Sequence, residues 1–600
     1  MLRALYDYAL RNDLTIPAGC AKKTIKAYIS LNASGDFIGL EMAEGDEPFI
    51  CPNIGSLANG PDKSNVLVEK ISLVLPEKPN KKSQFFEEAL RSAAEKEPRV
   101  SACVTALNNE QTVRQILSEC ERHKLKSTDR ISFRVGGESL LDMSTVMDWW
   151  QEFRSQFEKN GGTRNRCLIT GELTTPVETV PRIQGLHVVG GHASGDSLIC
   201  FDKNSFCSYG LKKSANAPVS EAAFAAVKDA LNQLLSDAPI LAGMKFVHWY
   251  DKPVLKESDQ ILSLFGGIDA EDDETEEKEK AAAANQYADA LINSVKKGAQ
   301  PMLPPDEYYI LLLTGVGGRV MIRRYEHGSY EALQRNLAQW WNDLALTDIK
   351  GTGLAKVNKL TAMYMRLLKR QKSDSQPFKR LSKELAGLAP SILTAILTGG
   401  PLPSAVAVKA LAYIRSMMVD VDDDAKAPPV PDAMCCQWLK VWLLRENRRN
   451  HKEELDMVYY NAEQREPAYH CGAMVAIYGE IQRIAMPNVN AGVIQRYYAS
   501  ASQTPALVLG QMARLSMYHL AKFDSPGLAA YYEKLLNQAA VAIGDQVPAT
   551  LNLEQQAYFA LGYRQMCAEM YRVKSEGRAK NQTTSDEIKS IDQSADNGEE

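Results

Sequence analysis

Two hydrophobic periods divide this chain. Up to residue 346, short apolar runs bounded by Gly, Asn or Asp alternate with segments of helical spacing. Runs at 24–31, 37–41, 131–135 and 197–201 predict strands, as does a short run from Cys167 that ends in a Thr-Gly turn. Segments 84–95, 110–120 and 143–157 predict helices. Pro218 and Ser220 open another, with Phe224, Val227, Leu231 and Leu234 on one face. Beyond Leu346 no strand pattern recurs. Long Leu/Ala/Met/Tyr segments alternate with Gly and Pro, the pattern of packed helices. The fold class predicted is α+β: a mixed strand/helix N-terminal region, 1–346, followed by an all-α C-terminal helical bundle.

Three polar segments interrupt these periods. Residues 268–286 begin IDAEDDETEEKEK and predict an acidic flexible segment; the alternative is an exposed acidic helix face running into the alanines at 281–284. Residues 420–431, DVDDDAKAPPVP, predict a loop. Residues 574–600 are polar, poor in aromatics and predict a disordered tail.

Length adds about four domain-sized units as a prior. The net charge is −5, so no whole-molecule field draws the chain to nucleic acid, and any such surface is local. The 11 cysteines form no framework and no C-x-x-C pair, which predicts reduced thiols in a cytoplasmic protein. No basic start followed by a long apolar core marks a signal peptide, and no run is long enough to span a bilayer.

Catalytic patterns fail on inspection. Gly190-x-x-x-x-Gly195-Asp196-Ser197 has phosphate-loop spacing, but Asp196 stands where a lysine is needed and would repel phosphate. Cys167 lies near His187 and His192 in sequence, which invites a Cys/His hydrolase, yet the local context of a cysteine nucleophile is missing. Metal-binding and kinase series are absent. The expectation is no catalytic residue, no metal and no cofactor.

Binding patterns fare better. Residues 59–65, with Asn59, Lys63, Ser64 and Asn65, and residues 212–216, with Lys212, Lys213, Ser214 and Asn216, gather groups that read base edges or hold phosphate. Ordinary turns use the same residues. Residues 350–383 carry ten cations, Lys356, Lys359, Arg366, Lys369, Arg370 and Lys372 among them, against Asp374 alone. Leu354, Val357, Leu360, Tyr364 and Leu367 form a stripe opposite, so the cations make either a phosphate-backbone face or a solvated helix surface. Arg319, Arg323 and Arg324 form a second cationic group; a charge-protected edge strand explains them equally. Trp149, Trp150, Trp340 and Trp341 fall in helical apolar patterns as core anchors.

Several blocks in order resemble one family. They are LRALYDYALR at the start; CLITGE, VPRIQGLHVVGGHASGDSLICFDKNSFCSYG and LKKSANAPVSEAAFAAVKDALNQLL within 167–235; YYILLLTGVGGRVMIRRYEHGSYEALQRNLAQWWNDLAL at 308–346; APSILTAILTGGPLP at 389–403; and GAMVAIYGEIQRIAMPNVNAGVIQRYYASASQTPALVLGQMARLSMYHLAK, ending near LNLEQQAYFALGYRQM. This series resembles the large subunit of the type I-C CRISPR surveillance complex (Cascade). The resemblance implies an opening helix, a β-hairpin and helix at 308–346, and a non-enzymatic subunit. Such a subunit recognises the protospacer-adjacent motif on duplex DNA, aids duplex opening, stabilises the displaced single strand and docks a helicase–nuclease. The implied partners are crRNA, duplex target DNA, the displaced strand, the other backbone and small subunits of Cascade, and the helicase–nuclease, with no membrane. It places tag recognition on the loops at 59–65 and 212–216, and backbone contacts on Arg319, Arg323, Arg324, the 350–383 cations and Arg483, Arg496 and Arg514. It also divides the helical part at 347–473 and 474–573, the latter resembling a small subunit made from an internal start at Met474, with Met457 and Met486 as alternatives. The rivals are a Cys/His hydrolase centred on Cys167 and a purely protein-binding helical scaffold.

Overall fold

A computed structural model of the chain describes residues 1–45, 48–55, 62–157, 164–177, 179–254, 259–266, 305–371, 373–420, 428–452, 457–487, 492–545 and 547–596, with 577–596 as backbone only. The acidic segment 268–286 and most of the predicted loop at 420–431 lie outside these residues. The α+β division holds: strands concentrate before Ser329, and helices follow. The chain forms two compact units, Met1–Ala238 with Thr314–Met321, and Pro239–Leu313 with Ile322–Glu600. The contacts of the chain therefore part near 238. The physical reason is that one strand pair, Glu307–Val316 and Arg319–Ser329, is divided: its tip belongs to the first unit and its stem to the second.

The first unit is built on a mixed sheet. Strand Ala27–Leu31 pairs antiparallel with Phe37–Met42 and parallel with Arg130–Val135. A parallel neighbour requires a crossover; helices Lys81–Lys96, Val100–Asn108 and Glu110–Arg122 supply it. Asn80 and Asn109 cap two of these, accepting from the N–H groups two and three residues on. Ile29, Leu31, Phe133 and Val135 of the sheet bury with Phe86 and Leu90 of the crossover. Trp149 and Trp150 anchor this core as predicted, the Trp150 ring N–H donating to the Gly19 carbonyl at 2.6 Å. Helix Glu221–Ser236, N-capped by Ser220, packs on the opening helix Leu2–Arg11 through Ala9, Ala226 and Ala230. Two predicted strands are not regular strands. Cys167 sits in the turn between the two-residue strands Asn165–Arg166 and Leu173–Thr174, and residues 197–201 hold only an isolated bridge from Ser197 to Arg319. Both segments spend their backbone groups on loops and the hairpin tip.

In the second unit the sheet order is Ile240–Leu241, Met244–Tyr250, Glu307–Val316, Arg319–Ser329. After it, the described residues add helices and no further strand. Helix Ala433–Arg449 ties the others together with buried cations. Lys440 (2 % exposed) donates from Nζ to the carbonyls of Asp343 (3.1 Å) and Ala345 (2.6 Å), at the C-terminal end of helix Tyr330–Leu344. Arg445 (3 % exposed) donates to the carbonyls of Ala395 and Gly400 (2.8 Å), around the end of helix Ala389–Thr398. The last carbonyls of a helix lack partners within it and carry the negative pole of its dipole. Asp343 (1 % exposed) completes the group, accepting from both Nη atoms of Arg448 at 2.7 and 2.6 Å with Arg445 Nε at 3.7 Å.

The deepest helix crossing is between Pro467–Ala485 and Leu553–Asp596. A Cβ at Gly472 would lie 2.0 Å from the Phe559 carbonyl oxygen, and one at Gly562 2.0 Å from that of Tyr469, so the two backbones touch. Beside it, the Tyr469 hydroxyl meets Gln565 Oε1 at 2.7 Å, and Gln565 Nε2 donates to the Met457 carbonyl at 2.6 Å. Met474 lies inside the helix Pro467–Ala485, most of which is buried. The helix Leu553–Asp596 also runs through the segment predicted to be a disordered tail. Extending an anchored helix adds one bond per residue without a new nucleus, and this segment contains no proline.

Two outcomes follow for stability. Arg445→Met should destabilise the second unit by about 3–5 kcal/mol, because it leaves Asp343 less compensated and strands two carbonyls. Thermal unfolding followed by hydrogen exchange across the Ala389–Thr398 helix measures this, and the Asp343→Leu/Arg445→Met pair should lose less than the two single losses summed. A fragment beginning at Met474 should be less stable than one beginning at Met457, since only the longer keeps Tyr469, Gly472 and the Met457 carbonyl. Circular dichroism melts of the two fragments compare them directly.

Candidate nucleic-acid interface

The polar loop at 212–216 is rooted by its own side chains. Asn216 Oδ1 accepts from the Ser208 N–H at 3.0 Å, and its Nδ2 donates to the carbonyls of Leu211 (3.1 Å) and Lys213 (3.0 Å). The buried Ser214 hydroxyl donates to the Val177 carbonyl. Residues 202–213 are thereby held as a surface loop, exposed except at half-buried Cys207. The backbone passes through the left-handed region at Tyr209 (φ 53°), Gly210 (φ 74°) and Lys213 (φ 49°). That conformation is unfavourable for Tyr and Lys, and the Asn216 bonds hold it. Lys203, Lys212 and Lys213 are exposed, with Asp202 the single carboxylate between 200 and 216.

The hairpin tip stands beside this loop. The Arg319 guanidinium lies 5.4 Å from the Phe206 ring centre, a cation–π distance. The Ser197 N–H donates to the Gly318 carbonyl, and the Val320 N–H to that of Ser197. Below, the Gly-rich loop crosses the hairpin backbone on backbone: a Cβ at Gly315 would lie 2.2 Å from the Gly191 Cα. Fully buried Asp196 accepts from the His192 N–H through both oxygens at 3.2 Å. A carboxylate that turns its own loop's amide inward fills the place where a phosphate cradle would be.

The other predicted loop is rooted in the same way. Asn65 Oδ1 accepts from the Ile54 N–H (3.0 Å) and its Nδ2 donates to Glu69 (2.7 Å); buried Ser64 donates to the Lys82 carbonyl (3.0 Å). Lys63 Nζ lies 4.6 Å from the Phe157 ring centre. Asn59 falls outside the described residues. The stems of the two loops meet: Asn53 and Gly55 from one, and Val177 and Glu221 beside the other, line a single cavity of about 390 Å³. Glu221 there pairs with buried Arg154. The structure thus brings the loop stems together while assigning Ser64, Asn65, Ser214 and Asn216 bonds inside the chain. Their amide and hydroxyl groups brace the loops, and the outward groups are the lysines at 212 and 213.

The cationic segment 350–383 is not one helix. It holds two short helices, Leu360–Met365 and Pro377–Glu384, joined by turns. Leu360, Tyr364 and Leu367 bury as the stripe required. Arg366 pairs with Asp432 at 3.1 Å, Arg370 with Asp420, and Arg380 with Asp374 and Glu384. The arginines here staple the segment to its surroundings. Lys356, Lys359, Lys369, Lys379 and Lys383 are exposed, and Lys372 falls outside the described residues. Arg323 and Arg324 are exposed on the hairpin, Arg324 pairing with Glu326. Arg483 is bound by Glu480 at 2.7 and 2.8 Å, whereas Arg496 and Arg514 are exposed. Arg564 is buried with its guanidinium on the Pro431 carbonyl at 2.8 Å, and Tyr498 is core. Sequence reasoning missed Tyr209. The signal was an aromatic in the Gly/Ser/Lys loop SYGLKK, with no apolar partner at helix or strand spacing.

Cys167 is closed in, 2 % exposed. Burial raises its pKa, but N–H groups of Thr170, Ser220 and Ile169 outweigh this and bring the thiol below its ordinary value. Among the described residues no histidine bonds to it; the Ser220 hydroxyl, 3.9 Å away, does. Among the described residues no group of three His, Cys, Asp or Glu side chains could hold a metal, and no helix is long and apolar enough to cross a membrane.

The family model for a CRISPR-associated protein, Cas_Csd1, matches residues 2–571, and the chain belongs to that family. Within it, the chain is a CRISPR protein of the type I-C kind. No curated protein matches it.

Two measurements check this site. Asn216→Ala should release the 202–213 loop, seen as faster tryptic cleavage after Lys212 and Lys213 with an unchanged far-UV spectrum. Thiol labelling of the native chain, mapped by mass spectrometry, should modify exposed Cys200 and spare Cys167; labelling of Cys167 first would restore it as a nucleophile.

Proposed function

We propose that this chain is the non-catalytic large subunit of a type I-C crRNA-guided DNA surveillance complex, and that its first unit recognises the protospacer-adjacent motif on duplex DNA. The observation that carries this reading is the exposed cationic loop at 202–213, braced by Asn216 and Ser214 and joined by Arg319 of the hairpin tip. A surface that meets a polyanion needs cations turned outward and a backbone fixed by other bonds. RNA-guided systems leave sequence to guide pairing, so the protein has only a short duplex tag to read. Duplex opening is then a near-balanced exchange, which modest Lys and Arg contacts to the displaced strand can tip. We assign that holding role to the exposed lysines of 350–383 and to Arg496 and Arg514. By the same reading the chain meets crRNA and the other Cascade subunits, and docks the helicase–nuclease. The closed Cys167 speaks against the hydrolase rival.

Binding of the assembled complex to duplexes with correct and altered tags, titrated with salt, tests this. Lys212→Ala/Lys213→Ala should weaken binding to correctly tagged duplex. Lys359→Ala/Lys369→Ala/Lys379→Ala should weaken all sequences about equally and reduce the salt slope by roughly 0.7–0.9 per lost phosphate contact. Binding that ignores the tag in the parent complex would overturn tag recognition. An unchanged slope would leave the 350–383 lysines as a solvated surface.

A further inference from the structure

Among the described residues Tyr209 is the most exposed large hydrophobic side chain, at 101 % of its full accessible area. A tyrosine ring left wholly in water forgoes a large burial gain. Here it also stands on backbone in the left-handed region, φ 53°, followed by Gly210 at 74°. Neither feature helps the chain fold: a Gly, Asn or Ser at 209 would suit such a turn better. Yet the loop that carries it is fixed, by the three Asn216 bonds and by Ser214. The ring is therefore presented from a rigid base. The loop and the hairpin tip that meets it at Phe206 carry a surface mixed in one particular way. Phe206, Leu211 and Val316 are exposed apolar groups, and Lys203, Lys212 and Arg319 are cations. A protein partner buried against this patch would have to neutralise the cations. A nucleic acid supplies both halves at once, π-faces for the rings and phosphates for the charges.

We propose that Tyr209 is a base-stacking residue: its ring takes the face of an unpaired nucleobase beside the duplex tag while neighbouring lysines hold the adjoining phosphates. The inference rests on the reading of the first unit as the duplex-binding face. Stacking of one base on an aromatic ring changes affinity by roughly 5- to 150-fold on alanine substitution. Because only a base already out of its pair offers its face, the ring acts on opening and not on first capture of the duplex.

The test uses the assembled complex with the full-length chain. Duplexes carry 2-aminopurine at positions flanking the tag, whose fluorescence rises when the base unstacks from its neighbours. Capture is followed separately by filter binding. Tyr209→Ala should capture duplex within about threefold of the parent and lose most of the opening amplitude, with Tyr209→Phe restoring it. Photocrosslinking from 5-iodouracil at the same positions should map to Tyr209 in the parent. If the parent captures tagged duplex and Tyr209→Ala opens it normally, the stacking role is wrong and the wider reading stands. If the parent captures no duplex at all, both fall. If Tyr209→Ala opens DNA normally but weakens assembly of the complex, the ring docks a protein and the inference is overturned.

Discussion

The second unit depends on charge placed where charge is costly. Lys440 and Arg445 leave water on helix Ala433–Arg449 and reach the carbonyl ends of two other helices. Each cation meets groups that are themselves unsatisfied, so two desolvation costs offset one another instead of adding. Leu or Met at these positions would fill the volume and accept any helix orientation. A guanidinium with fixed donor directions accepts one. The register of helices Tyr330–Leu344 and Ala389–Thr398 against their common neighbour is set by these bonds, with Trp340 and Trp438 packed beside them, ring centres 5.6 Å apart. Hydrophobic burial supplies the bulk of the driving force, and the cations select which of the compact arrangements is adopted.

The same principle explains what could be read from the sequence. Periodicity located the helices, the paired strands at 27–31 and 37–42, and the core tryptophans, because burial of an apolar face leaves a repeating mark. Cations leave no such mark. Arg366, Arg370, Arg483 and Arg564 look in sequence like lysines on a surface, yet each finds a carboxylate or a carbonyl inside the fold. Asn65 and Asn216 likewise advertise donors and acceptors without naming the partner, and the partner turned out to be the backbone of their own loops. Where the donor is a lysine in a turn, as at 212, sequence and structure agree on exposure. The division of the hairpin between two units was illegible because it depends on Gly191 meeting Gly315 at backbone distance, a contact between residues far apart in the chain.

This chain is slightly acidic overall, and its cations are sorted by use. Arginines, with their forked donors, mostly staple the fold. Lysines, strongly hydrated and easily left in water, mostly make the outward surface. The chain's short polar loops are rigid, and rigidity is what the Asn and Ser side chains provide.

The divided hairpin also orders events in time. Chain emerges from the ribosome N-terminal end first, at about 5–20 residues per second. The first unit includes Thr314–Met321, so its Gly191 and Ser197 wait without their partners until all of Pro239–Leu313 has been made. The loop that carries Tyr209 leans on that tip through Phe206 and Arg319. A nascent chain stalled before residue 314 would therefore hold a nearly complete sheet and a 202–213 loop without its hairpin neighbour. The Ser197 N–H and carbonyl would wait for Gly318 and Val320, whereas Gly191, Gly195 and Asp196 would already be bonded to Leu186, His192 and Ile183.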